Sequence, residues 1–444
     1  MANNEKKVCI IGGGLAGVEA AYQLSKRGIE VELYEMRPEK NTEVHSSPFL
    51  GELVCSNSLG STQLSTGAGL LKEELKTLDS FYIKMAEKNR VPAGFSLSVD
   101  RIELARQITE EIEKIPNITI IHQEMTEIPD LPYPVIIATG PLTSGVFAEN
   151  LTRLTMRKNL FFYDATSPII NAESIDFDQL YAASRYDKGD ADFYNIPLSE
   201  DQYNTFVDDL LAADKVELHE ADKDIFFDAC LPIEEIARRG QKSLAFGPLK
   251  PVGLNDPRTG QMPFAVVQLR QDDLKKNFFQ IVGFQTRLKW GEQSRIFQKL
   301  PGLENAEFER FGRIHRNTYI NSPLILDKYY QCKFKDNLYF AGQMCGVEGY
   351  LESISSGLLV GIYVAQRLQG ETIYSIPENT ACGSLVNYIC NADWKEFRPT
   401  KFSFGLLPEV EEQKGRRKMK KIKKEYKAQV ALDNLNKWIM KANI

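Results

Sequence analysis

The feature that most constrains the fold is a glycine-rich turn near the start of the chain. A short apolar run leads into Gly12, Gly14 and Gly17, which have the spacing G-x-G-x-x-G, and an amphipathic helix follows. A second apolar run ends at Glu35. The order strand, turn, helix, strand with a final acidic residue is typical of a dinucleotide-binding unit in a parallel sheet.

Each residue of this turn has a physical role in such a unit. Gly12 permits the tight turn, Gly14 lets the backbone approach a pyrophosphate, and Gly17 lets the helix pack closely on the strand. The helix N-terminus offers N–H groups and the positive end of its dipole to phosphates. Glu35 is expected to accept a hydrogen bond from a ribose hydroxyl. The turn alone does not distinguish FAD from NAD.

Two later segments favour FAD. Residues 134–140 form an apolar run that ends in Ala-Thr-Gly at Gly140, and residues 338–342 form another that ends in Phe-Ala-Gly at Gly342. Gly346 and a helix rich in small residues follow. In FAD proteins a strand of this kind brings backbone and a helix N-terminus to the flavin. Gly140, Gly342 and Gly346 are therefore further candidate cofactor-binding residues.

Length and composition limit the class of protein. A chain of 444 residues, 43% hydrophobic and 26% charged, predicts a globular protein of two or three domains. The net charge of -6 excludes a uniformly basic surface but leaves room for a local basic face. No apolar run approaches the roughly 20 residues of a membrane helix, and the first strand begins too early to leave room for a signal peptide.

The pattern changes in the middle of the chain. Alternating strands and helices predict a doubly wound, Rossmann-like α/β domain for residues 1–160 and again for residues 329–444, which include a basic C-terminal helix. Residues 161–328 contain aromatic strands of mixed polarity, which predict an inserted α+β domain with an antiparallel sheet. The fold class is therefore α/β, with a discontinuous FAD-binding domain. A dense basic run at 414–424 leads into the last helix.

Seven cysteines without C-x-x-C spacing indicate neither a disulfide framework nor a metal site, and a reducing cytoplasm fits best. Cys55 follows an apolar run and lies among small polar residues. Cys230 precedes Arg238 and Arg239, whose charge would favour a thiolate. From spacing alone, a structural and a catalytic role stay equally open for these two cysteines and for Cys345. The other cysteines are interpreted as structural: Cys9, Cys332, Cys382 and Cys390.

Three segments of the middle domain combine cationic and aromatic residues: 246–253, 284–290 and 311–319. Lysine and arginine neutralise phosphates, while aromatic rings stack on bases or on a flat heterocycle such as a pterin. Any one such run is more often a solvated basic face, and His315 is more often a packed residue than a catalyst. Together the three runs favour an RNA-binding surface.

Assembled in order, these segments resemble the folate- and FAD-dependent RNA uracil-5-methyltransferases, the TrmFO family. The resemblance runs almost from end to end. Its motifs lie at residues 12–17, 51–58, 230–235, 238–240, 246–248, 283–286, 289–293, 315–318 and 346–350.

The resemblance implies a chemistry and assigns residues to it. It implies that FAD, reduced by NAD(P)H, takes a one-carbon unit from 5,10-methylenetetrahydrofolate. It implies that Cys230 adds to carbon 6 of uracil and so activates carbon 5 as a nucleophile. Cys55 would be a second thiol, which removes the carbon 5 proton or guards the flavin, and Tyr350 would stack against the flavin.

The implied substrate is a uridine of structured RNA, in the T-loop of tRNA. Gly60 and Cys345 depart from the family pattern, so a uridine of 23S ribosomal RNA stays an alternative target. Wobble-uridine modification of tRNA and a flavin-containing RNA-binding factor are further alternatives. No metal and no membrane partner are expected, and the expected oligomeric state is a monomer or a weak dimer.

Overall fold

The structure is a computed structural model that describes residues 6–42, 44–155, 160–187, 190–217, 226, 231–409 and 420–444. Cys230 and residues 414–419 of the basic run lie outside these ranges. The strands are β1 Lys7–Ile11, β2 Glu30–Glu35, β3 Ser58–Ser61, β4 Arg90–Val91, β5 Ser96–Val99, β6 Ile118–His122, β7 Val135–Ile137, β8 Leu160–Ala165, β9 Ile169–Asn171, β10 Tyr181–Ala182, β11 Phe193–Leu198, β12 Ala265–Gln271, β13 Phe278–Ile281, β14 Phe308–Arg310, β15 Ile314–Tyr319 and β16 Leu338–Phe340. The helices are α1 Leu15–Ser25, α2 Gly67–Thr77, α3 Phe81–Lys88, α4 Arg101–Glu113, α5 Gly145–Thr155, α6 Glu200–Ala212, α7 Ile233–Ala237, α8 Ser243–Phe246, α9 Trp290–Phe297, α10 Ser322–Ile325, α11 Tyr350–Gln369, α12 Ala381–Asn391 and α13 Lys420–Ala442.

A five-stranded parallel sheet carries the glycine turn. Its strand order is β16–β7–β1–β2–β6, so the late strand β16 lies beside β7 from the first part of the chain. In the central strand β1, Val8, Cys9 and Ile10 have no exposed surface. Strands that are buried on both faces consist of continuous apolar runs, and for this reason the apolar runs in the sequence predicted these strands.

Helices α1 and α11 pack against each other beside this sheet. A Cβ atom at Gly357 of α11 would lie far inside van der Waals contact with the backbone of Ala16, and one at Gly361 would lie 2.9 Å from the carbonyl oxygen of Ala20. Glycine at these two positions therefore permits the close approach of the two helices. The contact joins the first and last parts of the predicted discontinuous domain.

A small antiparallel sheet with the order β3–β5–β4 packs beside helices α2 to α4. The sequence pattern does not predict this sheet. The helices begin at side-chain caps: Thr66 caps α2, Ser80 caps α3, and Asp100 caps α4 with Oδ1 accepting from Glu103 N at 3.0 Å. The carboxylate of Asp100 thus satisfies one of the free N–H groups of the first turn of α4.

The middle of the chain contains the antiparallel sheet that its sequence predicted. Its order is β10–β11–β12–β13–β9–β14, and every pairing is antiparallel. Helices α6 and α9 contribute Phe206 and Phe297 to its core, where both rings lie near Phe284. A separate ribbon of β8 and β15 contacts the nucleotide-binding half, because Thr318 N donates to Pro141 O at 2.9 Å.

The C-terminal helices pack on the back of the first sheet's helices. The buried carboxylate of Glu74 on α2 accepts from the backbone N–H groups of Ala381 (2.6 Å) and Cys382 (2.8 Å) at the start of α12. The indole of Trp438 on α13 donates to Tyr374 O at 2.9 Å. Among the described helices, none has the length and apolarity needed to cross a membrane.

Candidate functional site

The glycine turn has the geometry that a dinucleotide site requires. Gly12 has φ +108°, and a Cβ there would lie 2.5 Å from the carbonyl oxygen of Ala138. A Cβ at Gly17 would collide with the backbone of Gly12, whereas one at Gly14 would meet nothing within 4 Å. Gly12 and Gly17 are thus needed for packing, and Gly14 leaves open space beside the backbone. Since Gly14 is also the uncapped N-cap of α1, the N–H groups of the first turn are available to an anion.

Glu35 lies at the end of β2 and is almost fully buried. Its Oε2 accepts from Gly13 N at 3.0 Å, and its Oε1 accepts from Arg37 Nε at 2.9 Å. Burial raises the pKa of Glu35, but the hydrogen bonds and charge of Arg37 outweigh burial, so the pKa is lowered overall. Arg37 also pairs with Glu52 at 3.3 Å. Glu35 is therefore held ionised in the site.

A cleft opens at the carboxyl ends of the parallel strands, where ligands bind in doubly wound folds. It brings together the predicted residues Gly12, Gly14, Glu35, Gly140, Gly342 and Tyr350. Gly17 lies beneath the turn. Gly346 is absent from this lining; it has φ +79°, and a Cβ there would collide with the ring of Phe397. For Gly346 the structure therefore gives a packing role.

Tyr350 connects the cleft to the candidate thiol. It is the first residue of α11, and its hydroxyl oxygen accepts from the backbone N–H groups of Cys55 (2.8 Å) and Ser56 (2.9 Å). Cys55 is half-buried, and its Sγ lies 3.9 Å from the carbonyl oxygen of Ala165 at the end of β8. Tyr350 thus fixes the backbone that carries Cys55 at one end of the cleft.

Burial raises the pKa of the thiols of the other described cysteines, including Cys332. Burial raises the pKa of the Cys9 and Cys390 thiols to about 12 and raises the pKa of Cys345 and Cys382 well above the ordinary value. These four thiols therefore stay protonated near neutral pH. Cys345, which sequence left ambiguous, is a buried residue of the core.

Cys230 lies outside the described residues, but residues on both sides of it are placed. Phe226 forms a bridge with Tyr163 of β8. Ile233 N donates to Gln285 O at 2.7 Å, and the next residue, Thr286, donates from its N–H to Thr166 O at 3.3 Å. Both flanks therefore attach near the end of β8, which is the same strand end that Cys55 contacts.

Three arginines from separate elements surround one carboxylate beside Cys55. Arg101 Nη2 lies 2.7 Å from Asp272 Oδ2, and both residues are buried. Burial lowers the pKa of Arg270 to about 10, although Asp272 opposes this effect. Burial and the charge of Arg101 likewise lower the pKa of Arg310 to about 10. The region therefore has an excess of buried positive charge.

This arginine cluster connects to the backbone of Cys55. Arg270 donates to Gln280 Oε1, and Gln280 Nε2 donates to Cys55 O at 3.3 Å. The sequence pattern does not reveal the cluster, because its three arginines lie in separate elements, 40 to 209 positions apart. One sequence signal is that Arg270 is a charged residue near the end of the apolar strand β12.

Comparison with known proteins places the chain in a family. The model of the family described as "Glucose inhibited division protein A" matches residues 7–372. The chain is 52% identical over 417 residues to the methylenetetrahydrofolate–tRNA-(uracil-5-)-methyltransferase TrmFO of Bacillus cytotoxicus, covering 94% of each chain. It is 50% identical over 435 residues to the TrmFO of Anoxybacillus flavithermus, covering 98% of this chain and 100% of that one. The chain belongs to the TrmFO family.

Family membership agrees with the resemblance inferred from the motifs, which is confirmed. The fold is also shared with a solved structure, Aquifex aeolicus GidA in its form I crystal, with a TM-score of 0.67 and 16% identity over 97% of this chain and 76% of that one. A TrmFO-family chain with a GidA-like fold confirms the predicted α/β class with a Rossmann-like domain. The domain boundaries and the roles of individual site residues stay predictions.

Proposed function

We propose that this chain methylates carbon 5 of a uridine in tRNA, with methylenetetrahydrofolate as the carbon donor. The observation that carries the proposal is the identity of about 50% with TrmFO relatives over nearly the whole chain. The position of Cys55 supports it, since Tyr350 holds this thiol at the end of the dinucleotide cleft.

The cleft fits FAD. The open space at Gly14 and the uncapped first turn of α1 suit a pyrophosphate, and the ionised Glu35 suits a ribose hydroxyl. Gly140 and Gly342 would line the cofactor, and Tyr350 would lie at its flavin end. When bound, FAD supplies the reducing equivalents, drawn from NAD(P)H, that convert a methylene unit into a methyl group.

The protein's own thiols would act on the uracil ring. Cys230 would form a bond to carbon 6, which makes carbon 5 nucleophilic, and carbon 5 would then take the one-carbon unit. Cys55 would accept the proton that carbon 5 loses. Expulsion of the Cys230 thiolate would restore the ring. Both flanks of Cys230 attach near the β8 strand end that Cys55 contacts, which supports a shared role.

The arginine cluster of Arg101, Arg270 and Arg310 supports the binding of anionic reactants at the same end of the cleft. Both the folate tail and RNA are negatively charged, and guanidinium groups bind carboxylates and phosphates in planar pairs. The described cysteines are free thiols, which supports a reducing compartment such as the cytoplasm. The proposed oligomeric state is a monomer or a weak dimer.

The test is product analysis with purified protein. Protein, unmodified tRNA transcript, methylenetetrahydrofolate and NADH or NADPH are incubated, and the RNA is digested for mass analysis of nucleosides. We expect 5-methyluridine with wild-type protein and its loss in Cys230→Ser and Cys55→Ser. Cys390→Ser is the matched control, because this partly buried thiol packs against the core, donates to Asp327 O and does not line the cleft, and it should retain activity.

Parallel reactions with ribosomal RNA fragments test the alternative target against tRNA. Methylation of ribosomal RNA but not of tRNA would contradict the tRNA proposal. A tRNA product with a different mass would contradict the uracil-5 chemistry. Full activity of Cys230→Ser would exclude Cys230 as the nucleophile.

A further inference from the structure

Phe246 is 78% exposed, although Leu244 and Leu249, two residues before it and three after it, are buried. Leu244 and Leu249 have no exposed surface and belong to the core of the antiparallel domain. Pro248 packs against Gly283, where a Cβ would lie 2.7 Å from the proline ring. The backbone around Phe246 is therefore held firmly while the aromatic ring points into solvent.

The charged residues that flank Phe246 in the chain are all cations. Residues 236–254 contain no aspartate or glutamate, and their cations are Arg238, Arg239, Lys242 and Lys250. Arg238 pairs with Glu235 at 3.0 Å. Within the described part of the chain, no carboxylate lies within ion-pair distance of the other three cations, and all three side chains are exposed. In a chain with a net charge of -6, this is a local concentration of unneutralised positive charge.

Phe246 and Lys242 lie on one short helical turn. Phe246 N donates to Lys242 O at 3.1 Å, so Lys242 precedes Phe246 by four residues and lies on the same helix face. Lys250 follows Phe246 by four residues, and its N–H bonds to Gly247 O at 3.3 Å. We call Phe246 with Arg239, Lys242 and Lys250 the aromatic–basic patch.

The patch is anchored to the segment that adjoins the candidate site. Helix α7, which leads into it, is held by Glu234, whose carboxylate accepts from Thr286 Oγ1 at 2.8 Å and from Arg287 N at 2.9 Å. Thr286 in turn bonds to Thr166, the residue after the strand end that Cys55 contacts. The helix that leads into the patch is therefore hydrogen-bonded to the region that flanks Cys230.

We propose that the aromatic–basic patch is an RNA-docking surface, on which Phe246 stacks with an unpaired base while Lys242, Lys250 and Arg239 contact phosphates. Exposed aromatic rings beside unpaired cations are the combination that binds single-stranded or loop nucleotides. The inference rests on the proposed function, since it assumes that the reaction takes place on RNA. It adds a specific surface and contact type to that function.

The first test measures RNA affinity and needs no methylation. The Kd of holoenzyme for an unmodified tRNA transcript is measured by fluorescence anisotropy for wild type, Phe246→Ala and Phe246→Trp. Loss of one base stack predicts a Kd roughly ten-fold higher for Phe246→Ala and a near wild-type value for Phe246→Trp. Phe334→Ala is the matched control: Phe334 is 49% exposed and lies between two lysines, but Lys333 bonds to Pro323 O (2.8 Å) and Lys335 lies 3.8 Å from Asp130. It should bind RNA as wild type does.

The second test concerns the phosphates. Lys242→Gln should reduce the slope of log affinity against log salt by about one unit. Lys299→Gln is its control, because Lys299 already pairs with Asp209 at 2.7 Å, and it should leave the slope unchanged.

Several results would contradict the proposal that the aromatic–basic patch binds RNA. Wild-type affinity in Phe246→Ala would overturn the proposal. Weak binding by Phe246→Trp would also overturn it, since the loss of affinity would then not be due to stacking. If Cys230→Ser abolishes 5-methyluridine while Phe246→Ala binds normally, the function stands and the surface is wrong. If wild-type protein binds tRNA without methylating it and Phe246→Ala weakens binding, the surface stands and the proposed chemistry is wrong.

Discussion

The hydroxyl oxygen of Tyr350 lies 2.8 Å from the amide nitrogen of Cys55, and this bond joins the start of α11 to the loop that carries the candidate thiol. The residues are 295 positions apart in the chain. Tyr350 therefore acts on Cys55 through the backbone, in addition to any contact with a flavin. The bond gives the tyrosine hydroxyl a role that a phenyl ring cannot fill.

Tyr350→Phe should impair the reaction with little loss of fold. It leaves the N–H groups of Cys55 and Ser56 without their acceptor, at a cost of about 1–3 kcal/mol if water does not replace it. We expect at least a several-fold fall in kcat for uridine methylation and faster alkylation of Cys55 by iodoacetamide. Tyr388→Phe is the control, since its hydroxyl bonds to Arg398 O far from Cys55. An unchanged alkylation rate in Tyr350→Phe would show that the bond does not position the loop.

Alanine substitutions at two glycines of the turn should affect different properties of the protein. Gly14→Ala places a methyl group in open space, so the apoprotein should keep its Tm while FAD affinity falls. Gly17→Ala forces a methyl group into the backbone of Gly12, so the Tm itself should fall. Calorimetry of the apoproteins and FAD titration separate the two effects. A lowered apoprotein Tm in Gly14→Ala would contradict the open space at this position.

Glu74 should make stability depend on pH. Burial raises the pKa of this carboxyl to about 7, with the bonds from Ala381 and Cys382 opposing burial. Because the folded state binds this proton more tightly than the unfolded state, the contribution is fully present below about pH 4.5 and is lost as pH rises through about 7. The shift corresponds to about 3 kcal/mol. Glu74→Gln should flatten the decline of Tm over this range, and Glu73→Gln on the same helix should not.

The arginine cluster should lower the stability of the fold and support activity. Burial and the charge of Arg101 disfavour the charged form of Arg310, so Arg310→Gln should leave the free energy of unfolding unchanged or raise it by about 1 kcal/mol. The same variant should lower activity if the cluster binds anionic reactants. Asp272→Asn removes the shared carboxylate and should destabilise by about 3 kcal/mol or more. Denaturant unfolding measures both, and a large loss of stability in Arg310→Gln would show that its charge is compensated.

The sequence predicted the strands and helices of the nucleotide-binding half because the residues that indicate them are close together in the chain. Strand β1, the glycine turn and α1 follow one another, and strand β16 repeats the pattern with a buried apolar run. The small sheet of β3, β4 and β5 was missed because strands of two to four residues are too short to show a period.

The site was only partly predictable for a different reason. Spacing predicted which glycines form the turn, but not that Glu35 bonds to Arg37 and Gly13, nor that Gly346 packs on Phe397. These contacts join residues whose proximity depends on the tertiary fold. The exposure of Phe246 is a similar case, since the sequence shows the motif but not which side of it faces solvent.

The strand order β16–β7–β1–β2–β6 has a consequence for synthesis on the ribosome. When β7 has emerged, its outer edge has no partner until residue 340, about 200 residues later, supplies β16. Throughout that interval the nascent chain carries an open, apolar strand edge, which is a template for pairing with other chains. The cofactor cleft is also incomplete during this interval, because Gly342 and Tyr350 follow β16. Cofactor capture is therefore a late event in the maturation of this protein.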